Sequence, residues 1–114
     1  MKVAVVGSRG LQVNNLEEYL PAETELIITG GARGVDSSAR QYAQEHGIEL
    51  LEILPDYRRY RRAAPLKRNI AIIDRADMVL VFWDGQSTGT AYVINACRER
   101  NVPCRICIKK PGSP

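Results

Sequence analysis

Short apolar runs rich in β-branched residues alternate along the chain with stretches whose apolar positions recur at helical spacing. The runs are Lys2 to Val6, Glu25 to Thr29, Glu49 to Leu54, Met78 to Trp83 and Cys104 to Ile108. Such runs have the composition of strands buried on both faces, so five strands are expected. Val35, Ala39, Tyr42, Ala43 and His46 fall at i, i+4, i+7, i+8 and i+11, which predicts an amphipathic helix stopped by Gly47. Leu66, Ile70 and Ile73 predict a second helix with Pro65 in its first turn. A third is expected from Thr90 to Arg100, and a short one over residues 13–20, closed by Pro21. Strands alternating with helices imply right-handed crossovers. The expected fold is therefore a single α/β, Rossmann-like, three-layer domain over residues 1–108, its five-stranded parallel sheet ordered 3-2-1-4-5. Residues 109–114 read as a flexible basic, Pro-rich tail.

Three of these runs lead directly into glycine-rich turns: Gly7-Ser8-Arg9-Gly10, Gly30-Gly31-Ala32-Arg33-Gly34, and Asp84-Gly85-Gln86-Ser87-Thr88-Gly89-Thr90. In a parallel sheet such turns share the carboxyl edge, and the strand order above puts a topological switch between the first and fourth strands, where the first and third turns meet. Backbone N–H groups and helix N-termini at that edge suit an oxyanion, so a phosphate- or ribose-bearing ligand is expected. The turns lack the G-x-G-x-x-G pattern followed by a ribose-binding acid, which disfavours standard NAD. They also lack the G-x-x-x-x-G-K-[ST] pattern of a P-loop. No cofactor is implied with certainty.

Charge sharpens the picture only when it is located. The net charge is +3, yet Arg58, Arg59, Arg61, Arg62, Lys67 and Arg68 account for six of the 16 basic residues, leaving 10 basic against 13 acidic elsewhere. With Tyr57 and Tyr60 interleaved, Arg58, Arg59, Arg61 and Arg62 form either a nucleic-acid patch or a solvated connector. No apolar run approaches the ~18 residues needed to cross a bilayer, and the N-terminus lacks a signal-peptide pattern, so a cytoplasmic protein without membrane contact is expected. Cys97, Cys104 and Cys107 agree with a reducing compartment. Cys104 and Cys107 have C-x-x-C spacing, but in a strand residues three apart point to opposite faces, so buried structural thiols are expected. With no second pair and a lone His, no metal site is expected.

Individual residues carry the ligand reading further. Gly30, Gly31 and Gly34 would let the backbone approach a ligand, and Arg33 would add a bidentate phosphate contact. Asp36 reads either as a carboxylate capping the next helix or as a ligand contact facing a ribose hydroxyl. Ser87 and Thr88 are candidate helix caps that leave the N–H groups of Gly89 and Thr90 free. Asn69 shares a helix face with Leu66, Ile70 and Ile73, so it must find partners, either in the glycine loops or in a ligand. Arg68 beside it points to solvent or into the cleft. Trp83 reads as a core or rim aromatic or as a stacking platform.

Together, Val6-Gly7-Ser8-Arg9, Thr29-Gly30-Gly31-Ala32-Arg33-Gly34-Val35-Asp36-Ser37-Ser38-Ala39, Lys67-Arg68-Asn69 and Asp84-Gly85-Gln86-Ser87-Thr88-Gly89-Thr90 resemble the SLOG superfamily, in particular its small YspA/YpsA-related branch. The resemblance runs from Lys2 to about Ile108. It implies a Rossmann-like domain binding nucleotides, nucleotide derivatives or nucleic-acid ends, and a homodimer, since relatives often pair. DprA relatives bind single-stranded DNA and carry similar G-S-R and G-x-A-x-G-I-D turns. LOG relatives are phosphoribohydrolases with a P-G-G-x-G-T-x-x-E motif whose Glu is catalytic. Here Val93 stands in place of that Glu, which disfavours a nucleoside-phosphate N-glycosidase and leaves only Asp36 and Asp84 as substitute catalytic acids. The expectation is a binding module with Arg9, Arg33 and Arg68 supplying charge.

Overall fold

The computed structural model describes residues 1–110. Its sheet contains β1 (Lys2–Gly7), β2 (Leu26–Thr29), β3 (Glu49–Glu52), β4 (Met78–Trp83) and β5 (Cys104–Ile108), all parallel, in the order β3-β2-β1-β4-β5. This is the expected α/β arrangement. Between the strands lie α1 (Val35–His46), α2 (Tyr57–Tyr60), α3 (Ala64–Arg75) and α4 (Thr88–Glu99).

The strands' period of two divides the core into two layers. Val3, Val5, Ile27, Leu80 and Phe82 face Val35, Ala39 and Ala43 of α1, together with Leu11, Val13 and Leu16. Ala4, Val6, Ile28, Val79 and Val81 face Ile72 and Ile73 of α3 and Val93, Ile94 and Cys97 of α4. β1 and β4 thus lie at the centre, and their carboxyl ends open between helices belonging to opposite faces.

Several local expectations change. Residues 13–20 form only a single 3₁₀ turn, Leu16–Glu18, because packing of Leu11, Val13 and Leu16 on the sheet, rather than a helical stripe, orders the segment. His46 is exposed and stacks on Tyr42 at 4.0 Å, so the apolar stripe of α1 ends one turn early. β3 stops at Glu52, short of Leu54. β5 is an edge strand, not one buried on both faces: Ile106 is 43% and Ile108 69% exposed. Cys104 and Cys107 do diverge, each packing on a different core layer, but both are half-buried, and only Cys97 is fully buried. Lys109 continues the pairing, its N–H donating to the Trp83 carbonyl at 2.9 Å, while residues 111–114 of the expected tail lie outside the described residues. No helix among the described residues is long and apolar enough to cross a membrane.

Candidate functional site

Gly7 closes β1 where β4 and α1 press closest. A Cβ at this position would sit 2.4 Å from the Phe82 carbonyl oxygen and 2.7 Å from Val35 Cγ2, so only glycine fits. Ser8 follows, buried, its N–H donating to the Phe82 carbonyl at 3.0 Å. Its Oγ accepts from the Asp84 N–H at 3.2 Å, which ties the first turn to the third.

In the third turn the Asp84 carboxylate is fully engaged. Oδ1 accepts from the N–H groups of Ser87 at 2.8 Å and Gln86 at 2.9 Å, and Oδ2 accepts from Ser87 Oγ at 2.8 Å. The Ser87 and Gln86 N–H groups, with the Ser87 hydroxyl, hold the Asp84 carboxyl at about 2. It therefore stays ionised at neutral pH and organises the turn. Ser87, the N-cap position, spends its hydroxyl on Asp84 and makes no side-chain cap bond to α4. This corrects the expected Ser87 cap, and α4 begins at Thr88, two residues before the expected start. Its first intrahelical bond joins Ala91 N–H to the Ser87 carbonyl. The N–H groups of Thr88, Gly89 and Thr90 accordingly have no hydrogen-bond acceptor among the described residues. Trp83 is half-buried against the α3 and α4 layer and donates Nε1–H to the Ser87 carbonyl at 3.0 Å, a rim role.

The second turn is held from three sides. Gly34 has φ +74°, and a Cβ there would lie 2.4 Å from the Arg9 carbonyl oxygen, so the first two turns touch backbone to backbone. Asp36 Oδ2 accepts from the N–H groups of Gly30 and Ala32, both at 3.1 Å. The α1 N-cap is Gly34, without a side-chain bond, so Asp36 braces the preceding turn and does not cap the helix. Burial pushes its carboxyl up, against the opposing pull of the Ala32 N–H, the Arg68 charge and the Gly30 N–H. Arg68 Nη1 donates to the Gly30 carbonyl at 2.7 Å, and Nε donates to Asn69 Oδ1 at 2.8 Å. Arg68, rather than Asn69, reaches the glycine loop, and Asn69 orients Arg68.

These elements enclose a cleft of about 460 Å³ at the β1/β4 switch point. Gly7, Ser8, Arg9 and Gly10 line it from the first turn, Ser87 to Thr90 from the third, Ala32 from the second, Asp36 from the start of α1, and Arg68 and Asn69 from α3. Gly30, Gly31, Arg33, Gly34, Asp84 and Gly85 do not line it. Arg33 and Gly34 instead border a separate polar recess of about 410 Å³, with Ser37 and Gln41 of α1. Gly30 and Gly34 allow close packing against Arg68 and the Arg9 main chain, and Gly31 and Gly34 adopt left-handed backbone. The apolar lining, Val6, Pro65, Leu66, Ile72 and Val93, was not anticipated as ligand-facing. Its one sequence signal was Val93, at the position of the LOG glutamate.

Outside the cleft, Arg58, Arg59, Arg61 and Arg62 form α2 and a following 3₁₀ turn, all four exposed. Asp56 caps α2 by accepting from the Arg59 N–H at 3.1 Å. Arg59 and Lys67 lie over the Tyr60 ring, at 5.1 and 5.8 Å from its centroid, while Tyr57 remains exposed.

No curated protein and no solved structure matches the chain. The model of the YAcAr family, described as the YspA, cpYpsA-related SLOG family, matches residues 1–60, which carry the first two turns, β1, β2, α1 and β3. With this match over more than half its length, the chain belongs to the YspA, cpYpsA-related SLOG family.

Proposed function

We propose that the chain binds a nucleotide or nucleotide-derived ligand in the β1/β4 cleft, with a phosphate at the N-terminus of α4. Membership of the SLOG family points broadly to a nucleotide-related ligand. The observation that carries the reading is the uncapped start of α4 facing the first turn. Three N–H groups without acceptors, a helix dipole and Arg9 converge on one cleft. The wall formed by Pro65, Leu66, Ile72 and Val93 offers the apolar surface a base needs, and the cleft volume falls in the range of about 300–1,000 Å³ usual for small-molecule sites. Among the described residues Asp36 is the one carboxylate in the lining, where glycoside cleavage ordinarily uses a pair, so binding is favoured over hydrolysis.

Calorimetric titration with nucleoside mono-, di- and triphosphates tests this. Saturable binding is expected, weakened about tenfold in Arg9→Ala, a loss of about 1.4 kcal/mol, and unchanged in Arg33→Ala. Loss of binding in Arg33→Ala with retention in Arg9→Ala would move the site to the polar recess and sink the proposal.

A second reading is favoured by one observation. Arg58, Arg59, Arg61 and Arg62 are exposed, none is in an ion pair among the described residues, and they directly precede α3, a wall of the cleft. They suit a single-stranded nucleic acid running outward from the cleft. Affinity for a short oligonucleotide should fall steeply with salt, and more shallowly once the four arginines are replaced by glutamine. A salt-independent affinity would exclude this reading.

A further inference from the structure

We propose that Asp36 selects the sugar of the ligand: its free carboxylate oxygen accepts a hydrogen bond from a ribose hydroxyl, which makes the preferred ligand a ribonucleotide rather than its deoxy counterpart. The inference rests on the nucleotide reading above.

The placement of Asp36 comes first. It enters from α1, which packs on the sheet face opposite α3 and α4, and it is 5% exposed, lining the cleft. Its turn is joined to the first turn by the Gly34 contact with the Arg9 carbonyl and to α3 by the Arg68 bond to Gly30. From the start of α1, Asp36 thus braces the turn that lies between the proposed phosphate end and the apolar wall. In a nucleotide, the sugar occupies the corresponding middle position.

Its unused valence comes second. Oδ2 is committed to the Gly30 and Ala32 N–H groups, whereas Oδ1 accepts no hydrogen bond among the described residues. Oδ1 still reaches solvent through the cleft, so an occupant that displaces water there must supply a donor in its place. The neighbouring cation does not supply it: Arg68 bonds to Gly30 and Asn69 and makes no hydrogen bond or ion pair with Asp36 among the described residues. A phosphate brings negative charge and no donor, so it is repelled here and drawn to α4. A hydroxyl is neutral, carries a donor and suits a single free acceptor.

Asp36→Asn makes the idea testable without removing the brace. The amide oxygen can still accept from Gly30 and Ala32, while an NH₂ donor replaces the acceptor facing the cleft. Affinities would be measured for AMP, GMP, CMP and UMP and for their 2′-deoxy and 3′-deoxy forms. The wild-type chain should prefer the ribo form of its best ligand over one deoxy form by about tenfold or more. In Asp36→Asn that preference should vanish through weaker binding of the ribo form, with deoxy binding little changed. Equal ribo and deoxy affinity in the wild type, or equal losses for both in Asp36→Asn, would overturn it. The wild-type comparison stands even where the variant fails to fold. Should no nucleotide bind, the nucleotide reading falls. Ribose 5-phosphate against 2-deoxyribose 5-phosphate then decides the inference: a preference for ribose supports it, and binding of neither overturns it as well.

Discussion

The Arg68 guanidinium donates to the Gly30 carbonyl across 2.7 Å, joining α3 to the turn that follows β2. The bond spans 38 residues of chain and crosses from one helical layer toward the other. Arg68→Met keeps much of the aliphatic stem but removes this donor, and should cost about 1–2 kcal/mol by denaturant midpoint. Asn69→Ala should cost less. Since Asn69 acts on the loop through Arg68, the double variant should be less destabilised than the sum of the two, a coupling that a mutant cycle reads directly.

Asp84 makes a pH prediction. Its folded value of about 2 lies below the ordinary 3.8, so the unfolded chain binds the proton more readily between those values. The stabilising contribution is therefore present above pH 4 and is lost as pH falls toward 2. Thermal midpoints of Asp84→Asn should lie below wild type at pH 6, and the gap should narrow on acidification. A gap that stays constant down to pH 2 would contradict the assignment.

Gly89 separates ligand from scaffold. A Cβ there meets no protein atom within 4 Å, so Gly89→Ala should leave stability unchanged or raise it by up to about 1 kcal/mol, as expected for a helical position. The same methyl stands among the N–H groups assigned to phosphate, so nucleotide affinity should fall severalfold. Weakened binding at unimpaired stability is the signature sought.

Gly34 and Gly10 form a control pair. Gly34→Ala combines a φ of +74° with backbone overlap on Arg9 and should cost at least ~2 kcal/mol. Gly10→Ala meets nothing within 4 Å and should be close to neutral in a melting experiment.

The strand order and the meeting of the first and third turns could be read from the alternation of apolar runs, because parallel crossovers leave few topologies. The role of the second turn could not. Gly30, Gly31 and Gly34 look locally like a phosphate cradle, yet which side of that turn faces the cleft depends on Arg68, 38 residues from Gly30, and on the Arg9 carbonyl. The same blindness to distant partners hid Leu66, whose spacing matched the core face of α3 although it stands exposed at the cleft wall. It also hid the exposure of Ile106 and Ile108, since periodicity does not distinguish an edge strand from a central one.

The contact between Gly34 and Arg9 has a consequence for the molecule's two hollows. Arg9 borders the cleft and Gly34 the polar recess, and where they meet the two backbones press together with no side chain between them. The partition is there only as thick as the main chain. A Cβ at position 34 runs into the Arg9 and Leu11 main chain itself, so any residue larger than glycine there must push the two turns apart and change the shape of both hollows at once.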